Sequence, residues 1–321
     1  MARVLVAGKL HDSGLALLTA RSELRIDYVE EISEAAMAPF LADADAILLR
    51  TQPLDAGAIA RCRRLGMVSR HGVGFDAVDV GALNARGIPL AIVGDVNAQT
   101  VAEHAMLLLL SASRRLIQYD AATRPGGDWG FRNSLSAQEV AGKTLLIIGL
   151  GRIGRHLSRM ARGFDIEVIA YDPYLAQPAP LGVRVVDDLD AALAEADLVS
   201  VHVPRTDTAL IGRRELALMK PSAVVVNTAR GGSVDENALA DALTEGRLFG
   251  AGLDVFVDEP PTIANRLTTC RTATLTPHSA SMTAECAERM AVVSAQNILD
   301  FIDGKLNPEL VVNAREIRFS A

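Results

Sequence analysis

Lys143 to Asp172 reads KTLLIIGLGRIGRHLSRMARGFDIEVIAYD, and the fold follows from how that stretch divides. Thr144 to Ile148 is a short, branched apolar run, the pattern of a buried strand. GLGRIG comes next, with Gly149, Gly151 and Gly154 in the G-x-G-x-x-G spacing. Ile153, Leu157, Met160, Ala161 and Phe164 then recur at helical intervals and predict a helix with one apolar face. A second strand, Glu167 to Tyr171, ends on Asp172. In such a unit the glycines have separate tasks: a tight turn, close approach of backbone to a pyrophosphate, and close packing of helix on strand. The helix N-terminus turns unpaired N–H groups and a positive dipole end towards that anion. Asp172 lies at the offset where a carboxylate takes the ribose hydroxyls of NAD. A 2′-phosphate there would meet like charge, and Pro173 and Tyr174 supply no cation, so NAD is expected over NADP. A glycine turn that merely caps a helix is the competing reading of GLGRIG alone. The strand before it, the helix after it and the acid beyond favour the dinucleotide.

The chain has 321 residues, half of them hydrophobic, which is enough for a large core and suggests two domains. A net charge of −7 argues against a nucleic-acid groove or an anionic membrane surface. Cys62, Cys270 and Cys286 lie far apart with no C-x-x-C pair, which suits a reduced compartment without structural disulfides or zinc. No metal is expected. The first strand begins at about Arg3, leaving no room for a signal peptide. The longest wholly apolar run, Ala105 to Leu110, is too short to span a bilayer. A soluble cytoplasmic protein is the expectation.

Residues 3 to 94 alternate helical patterns with the apolar runs RVLVAG, LRIDYV, AILLR, MVSRHG and PLAIVG, the rhythm of βα units on a parallel sheet. Ligands of such sheets bind outside the carboxyl ends of strands. Arg50-Thr51-Gln52-Pro53 and Arg70-His71-Gly72-Val73-Gly74-Phe75-Asp76 stand at two such ends. The Gly-x-Gly turn can aim consecutive N–H groups at a carboxylate, and Arg50 can add a bidentate contact. Taken alone, each loop reads more readily as a plain turn, and their shared placement at strand ends narrows that margin. Gln99 to Tyr119 reads as one long helix, so apolar that burial on more than one side, and hence a subunit interface, is expected. His104 within it reads as a packed structural residue rather than a ligand. Arg124 to Gln138 is loop-like and carries the only tryptophan, Trp129, which suits a partner surface or local packing equally.

Beyond Asp172 the strand candidates are VRVV, DLVSVHV, AVVVNTA, GAGLDVF and TATLTPH, and helix patterns take over from Ala284 to Asp303. The last segment is expected to cross back onto the first domain. The expected architecture is thus α/β, with two Rossmann-like or flavodoxin-like parallel-sheet domains and a cleft between them. Residues 1–97 and 284–321 would form a discontinuous substrate-binding domain, and residues 98–283 the NAD-binding domain. Arg230, Asp254, Glu259 and His278 fall at or just beyond strand ends. Oxidation of a hydroxyl needs a hydride acceptor, a proton acceptor and a substrate clamp, which NAD, a neutral histidine and an arginine supply. A carboxylate beside that histidine orients the ring and stabilises its imidazolium form. From composition alone, a core histidine and three surface salt-bridge residues remain an equal alternative.

The blocks RHGVGFDAVD, NAQTVAEHAMLLLL, GKTLLIIGLGRIGR, VHVPRTDTALIG, VVNTARGGSVDENALADAL, GAGLDVFVDEPP and TPHSASMT cover most of the chain. In that order they resemble the D-isomer-specific 2-hydroxyacid dehydrogenases, a family that includes phosphoglycerate, hydroxypyruvate/glyoxylate and D-lactate dehydrogenases. The resemblance implies that Arg230 binds the substrate's carboxylate and carbonyl, that His278 is the acid/base and that Glu259 is its partner. Asp254 would hold the nicotinamide carboxamide, and Val203 and Thr228 would meet the cofactor through backbone. Arg152 and Ile153 would cover the pyrophosphate, and Thr100 would also face the cofactor. The Val73-Gly74 turn would receive the substrate carboxylate, with Arg50 where phosphoglycerate members contact substrate. One departure is Ser281, where the family commonly has glycine three residues after the histidine. The chain ends without the regulatory domains of many phosphoglycerate members, so feedback control by serine is not expected.

The partners implied are a small 2-hydroxyacid or 2-ketoacid and a second copy of the chain, as a homodimer. The alternative is a non-catalytic NADH-sensing protein like the C-terminal-binding-protein corepressors, disfavoured because long disordered flanks are lacking. Formate oxidation on the same fold is disfavoured by Glu259, where the resemblance would require glutamine. Phosphoglycerate, hydroxypyruvate, glyoxylate and sulfolactate differ beyond C2, which no motif reads.

Overall fold

The computed structural model describes residues 1–31, 33–175 and 177–319. The chain forms two compact units, Met1–Asn97 with Met282–Ala321, and Ala98–Ser281. Each is built on a parallel sheet.

In the first unit the strands are β1 (Ala2–Ala7), β2 (Leu24–Val29), β3 (Ala46–Leu49), β4 (Met67–Arg70) and β5 (Leu90–Ala91). Their order is β2-β1-β3-β4-β5, so the chain reverses direction across the sheet between β1 and β3. One face of the sheet, with Leu5, Ile47, Leu49 and Val68, is covered by Met37, Leu41, Ile59 and Leu83. The other, with Val4, Val6, Leu48 and Met67, is covered by Ala291, Ala295 and Ile298 of the helix Ala284–Ile302. Burial on both faces is why β3 and the Val4–Ala7 part of β1 are unbroken apolar runs, whereas the edge strand β2, LRIDYV, is mostly part-buried and carries Arg25 and Asp27. The short β5 is finished by the chain's last segment. Val311 bridges Ala91 antiparallel, and Asn313 Oδ1 accepts the Leu90 N–H at 2.9 Å.

In the second unit β6 (Thr144–Ile148), β7 (Glu167–Tyr171), β8 (Val183–Val186), β9 (Leu198–Val201), β10 (Val224–Asn227), β11 (Gly250–Leu253) and β12 (Ala273–Leu275) follow one another along the chain. They lie in the order β12-β11-β10-β9-β6-β7-β8. The reversal falls between β6 and β9, the crevice where doubly wound sheets hold dinucleotides. The helix Arg152–Arg162 follows β6 and buries Leu157 and Ala161 with Leu145, Ile147 and Val168.

Three expectations need correction. The helix expected over Gln99 to Tyr119 is two helices, Ala98–Ser113 and Leu116–Thr123. Arg115 between them adopts the left-handed conformation, φ 52°, and its guanidinium lies 3.8 Å from the centre of the Phe249 ring. The long-range contact ends the helix. Its apolar excess is largely used within the unit, where Ala105, Leu108, Leu109 and Ala112 pack with Val224 and Val226, leaving Leu107 exposed. Phe164, assigned to the apolar face of the following helix, stands beyond that helix's Gly163 cap and is 44% exposed. The stretch expected to be loop holds a 3-10 turn, Trp129–Ser134, with Trp129 exposed.

Candidate active site

Every strand of the second unit runs parallel, so all their carboxyl ends open on one edge. Gly149 follows β6, Asp172 β7, Val203 β9, Arg230 β10, Asp254 β11 and His278 β12. At the reversal point the three glycines differ in what a side chain would meet. Gly149, at φ 95°, would place a Cβ 2.6 Å from the His202 carbonyl oxygen. A Cβ on Gly154 would collide with the Gly149 carbonyl, because the helix lies close on the strand end. A Cβ on Gly151 would meet no protein atom within 4 Å. The space beside Gly151 is therefore open at the N-terminus of the helix Arg152–Arg162, where Gly151 is the cap residue and no side chain caps the free amides. A pyrophosphate fits there on both steric and electrostatic grounds. Asp172 accepts the Leu150 N–H through Oδ2 and the Tyr174 N–H through Oδ1, each at 2.9 Å, tying the end of β7 to the glycine turn. Val203 is half-buried. Thr100 and Thr228 are buried, and the Thr228 hydroxyl has no hydrogen-bond partner, an orphaned polar atom at the end of β10.

On the same edge His278 Nδ1 lies 2.6 Å from Glu259 Oε2, and Glu259 Oε1 accepts the Phe256 N–H at 3.0 Å. With the carboxylate accepting on Nδ1, Nε2 is the ring atom left for a reactant. The His278 side chain is 56% exposed. His278 itself sits at φ 49°, left-handed for a residue with a Cβ. Arg230 donates through Nη1 to the Ala229 carbonyl at 2.7 Å, and its own carbonyl accepts from Asn227 Nδ2. The Arg230 loop and the Phe256–Glu259 loop abut through backbone, since a Cβ on Gly231 would collide with the Phe256 carbonyl.

Asp254 is fully buried, and the chain itself engages its carboxylate. Oδ1 accepts the Thr276 hydroxyl at 2.6 Å and the Ser279 N–H at 2.8 Å, and Oδ2 the Ala280 N–H at 2.9 Å. Its carbonyl accepts the His278 N–H at 2.8 Å. His104, expected to be a packed core residue, is 2.9 Å from the Thr276 hydroxyl through Nε2. No local pattern could have found it, because its partners lie at the far end of the unit's sequence.

In the first unit, Arg50 follows β3 and points Nη2 at Met282 Sδ, 3.5 Å away. Arg70 at the end of β4 donates to the Leu49 and His71 carbonyls. His71 is buried with Nε2 unpartnered. Burial, and then the charges of Arg50 and Arg70, push it down to about 4. The carbonyl of Gly72 accepts the Val93 N–H at 3.2 Å, which fixes the start of the Val73-Gly74 turn.

The sequence model of the D-isomer specific 2-hydroxyacid dehydrogenase NAD-binding domain matches residues 106–280, more than half of the chain. The chain belongs to this family. NAD is accordingly the cofactor of the second unit, in agreement with the open space at Gly151. Among relatives of the family, the D-3-phosphoglycerate dehydrogenase of Mycobacterium tuberculosis is 41% identical over 313 residues, which is 96% of this chain and 58% of that one. The chain thus spans less than two thirds of the phosphoglycerate dehydrogenases it matches. The glyoxylate reductase of Korarchaeum cryptofilum is 36% identical over 319 residues, covering 96% of this chain and 95% of the relative. In structure, the NADPH-dependent glyoxylate/hydroxypyruvate reductase of Sinorhizobium meliloti superposes over the whole of both chains with a TM-score of 0.87 at 29% identity. No helix among the described residues of this family member is long and apolar enough to cross a membrane.

Proposed function

We propose that the protein is an NAD-dependent oxidoreductase that interconverts a short D-2-hydroxyacid and its 2-ketoacid, with His278 as the acid/base. The observation that carries this reading is the 2.6 Å contact of His278 with Glu259 on the sheet edge that also bears the dinucleotide turn. Bound NAD supplies the acceptor of the hydrogen leaving C2, and NADH its donor. In oxidation, the neutral His278 ring takes the hydroxyl proton at Nε2; in reduction, the imidazolium returns it to the developing alkoxide. Glu259 fixes the Nδ1–H tautomer and stabilises the charged ring. Arg230 holds the substrate carboxylate and polarises the carbonyl. Arg50 and the Val73-Gly74 amides are assigned to the rest of the substrate. Arg152, Ile153, Val203, Thr228 and Thr100 are assigned to the cofactor. Asp254 is assigned to the nicotinamide carboxamide, while the chain's own donors also tie it to the loop that carries His278.

Glyoxylate, hydroxypyruvate and the 2-ketoacid of D-3-phosphoglycerate are the first substrates to try, since relatives named for glyoxylate, hydroxypyruvate and D-3-phosphoglycerate match this chain over nearly all of its length. A panel of 2-ketoacids assayed with NADH and with NADPH tests the reading. NADH should be preferred, because Asp172 repels a 2′-phosphate. His278→Ala should lower turnover by about 10²–10⁴-fold. No turnover of any 2-ketoacid by the wild type would sink the proposal. Equal efficiency with NADPH would sink the role of Asp172. The same reading includes a cytoplasmic homodimer, supported by the spaced, unpaired cysteines and by the exposed Leu107, Leu116, Ile117 and Trp129. Sedimentation at the 34.1 kDa mass of one chain would refute the dimer.

A further inference from the structure

We propose that His104 is a positioning residue for His278, acting through Thr276 and Asp254; the proposal rests on the acid/base reading of His278 given above. Thr276 Oγ1 lies 2.6 Å from Asp254 Oδ1, and an ionised carboxylate only accepts, so the Thr276 hydroxyl donates to it. Its hydrogen is then committed, and its oxygen can face His104 Nε2, 2.9 Å away, only as an acceptor. Nε2 of His104 therefore carries hydrogen. The direction of the whole chain of bonds is set, from His104 through Thr276 to Asp254.

Asp254 is the point at which the loop after β12 is fastened. Its carboxylate takes the amides of Ser279 and Ala280, and its carbonyl takes the amide of His278. His278 sits between those fastenings at φ 49°, a conformation that persists in a residue with a Cβ only where the surroundings hold it. A carboxylate free to rotate would release Ser279 and Ala280, and the imidazole would lose its aim. His104 and Thr276 prevent the rotation. His104 stands on the helix Ala98–Ser113, which is itself fixed on the sheet: a Cβ on Gly252 of β11 would come within 2.7 Å of Leu108 Cβ. A site supported from a rigid element in this way keeps its geometry better than a loop left to itself.

The test is steady-state kinetics of 2-ketoacid reduction by wild type, His104→Ala, His104→Gln, Thr276→Val and the His104→Ala/Thr276→Val double variant, with His278→Ala as reference. His104→Ala should lower kcat by about 10- to 100-fold, the scale of a reacting group held slightly out of place, and leave the KM for NADH unchanged. Glutamine carries an N–H donor at the reach of Nε2, so His104→Gln should restore kcat. Thr276→Val should match His104→Ala, and the double variant should be no worse than either, because all interrupt one chain of bonds. Wild-type kcat in His104→Ala, or His104→Gln as impaired as His104→Ala, overturns the positioning role while an inactive His278→Ala leaves the acid/base reading standing. Full turnover in His278→Ala overturns both.

Discussion

Glu259 serves two donors at once, the Phe256 amide on Oε1 and the His278 ring on Oε2. Glutamine can keep an oxygen for the Phe256 amide, but it then turns an N–H donor towards Nδ1, which puts the ring hydrogen on Nε2 and takes that atom away as a base. Glu259→Gln should therefore lower turnover, by less than His278→Ala does, and leave the KM for NADH near that of the wild type. Steady-state kinetics of the two variants check this, and wild-type turnover in Glu259→Gln would take Glu259 out of the role. The pair could be named from the sequence only through the resemblance of GLDVFVDEPP and TPHSASMT to a family. Nothing in the local spacing brings Glu259 and His278 together. His104 was hidden more deeply, since its helix period suited a core position and its meaning lies in a hydroxyl on a distant loop.

The strands were legible in order and place, because central parallel strands covered on both faces are short apolar runs, although PLAIVG forms only the two-residue β5 and the edge strand β2 carries Arg25 and Asp27. The helices were less so. Helical periodicity continues through Arg114 and Arg115, but the end of Ala98–Ser113 is decided by the Phe249 ring under the Arg115 guanidinium, a partner that periodicity does not contain. Phe164 fits the period too and is exposed because Gly163 has already stopped the helix. The glycine turn allows a separation of roles. Gly154→Ala drives a methyl group into the Gly149 carbonyl and should destabilise the unit by about 1–3 kcal/mol, the usual cost of overpacking. Gly151→Ala meets no protein atom, so thermal unfolding should be unchanged while NAD affinity falls. Calorimetric melting and an NADH titration of the two variants separate these outcomes. Equal loss of stability in both would remove the argument that the space beside Gly151 is kept for the cofactor.

Acid should weaken both units. His71 in the first and His202 in the second are each pushed down by burial to about 4, and each leaves one ring nitrogen buried without a partner. A histidine depressed on folding binds its proton more readily when unfolded. Its contribution is complete above the unfolded value near 6.5 and is lost as pH falls towards about 4. Each ring accounts for on the order of 3 kcal/mol over that window. Urea denaturation from pH 7 to 4 should show the decline, and His202→Gln, which keeps a hydrogen-bond partner for Ser200, should flatten it. An unchanged slope in that variant would mean that His202 does not titrate with unfolding.

The two units also differ in when they can be finished during synthesis. Residues 98–281 leave the ribosome as one uninterrupted length, with every strand of their sheet present. The sheet of the first unit is complete in its first four strands much earlier, yet Val4, Val6, Leu48 and Met67 wait for Ala291, Ala295 and Ile298, and β5 waits for Asn313. The first unit is thus the later of the two to close its core, and until residues 284–302 are made the nascent chain carries an apolar sheet face that residues such as Leu18 cover only in part. Limited proteolysis of chains arrested before the helix Ala284–Ile302 should cut the early segment first and spare the middle.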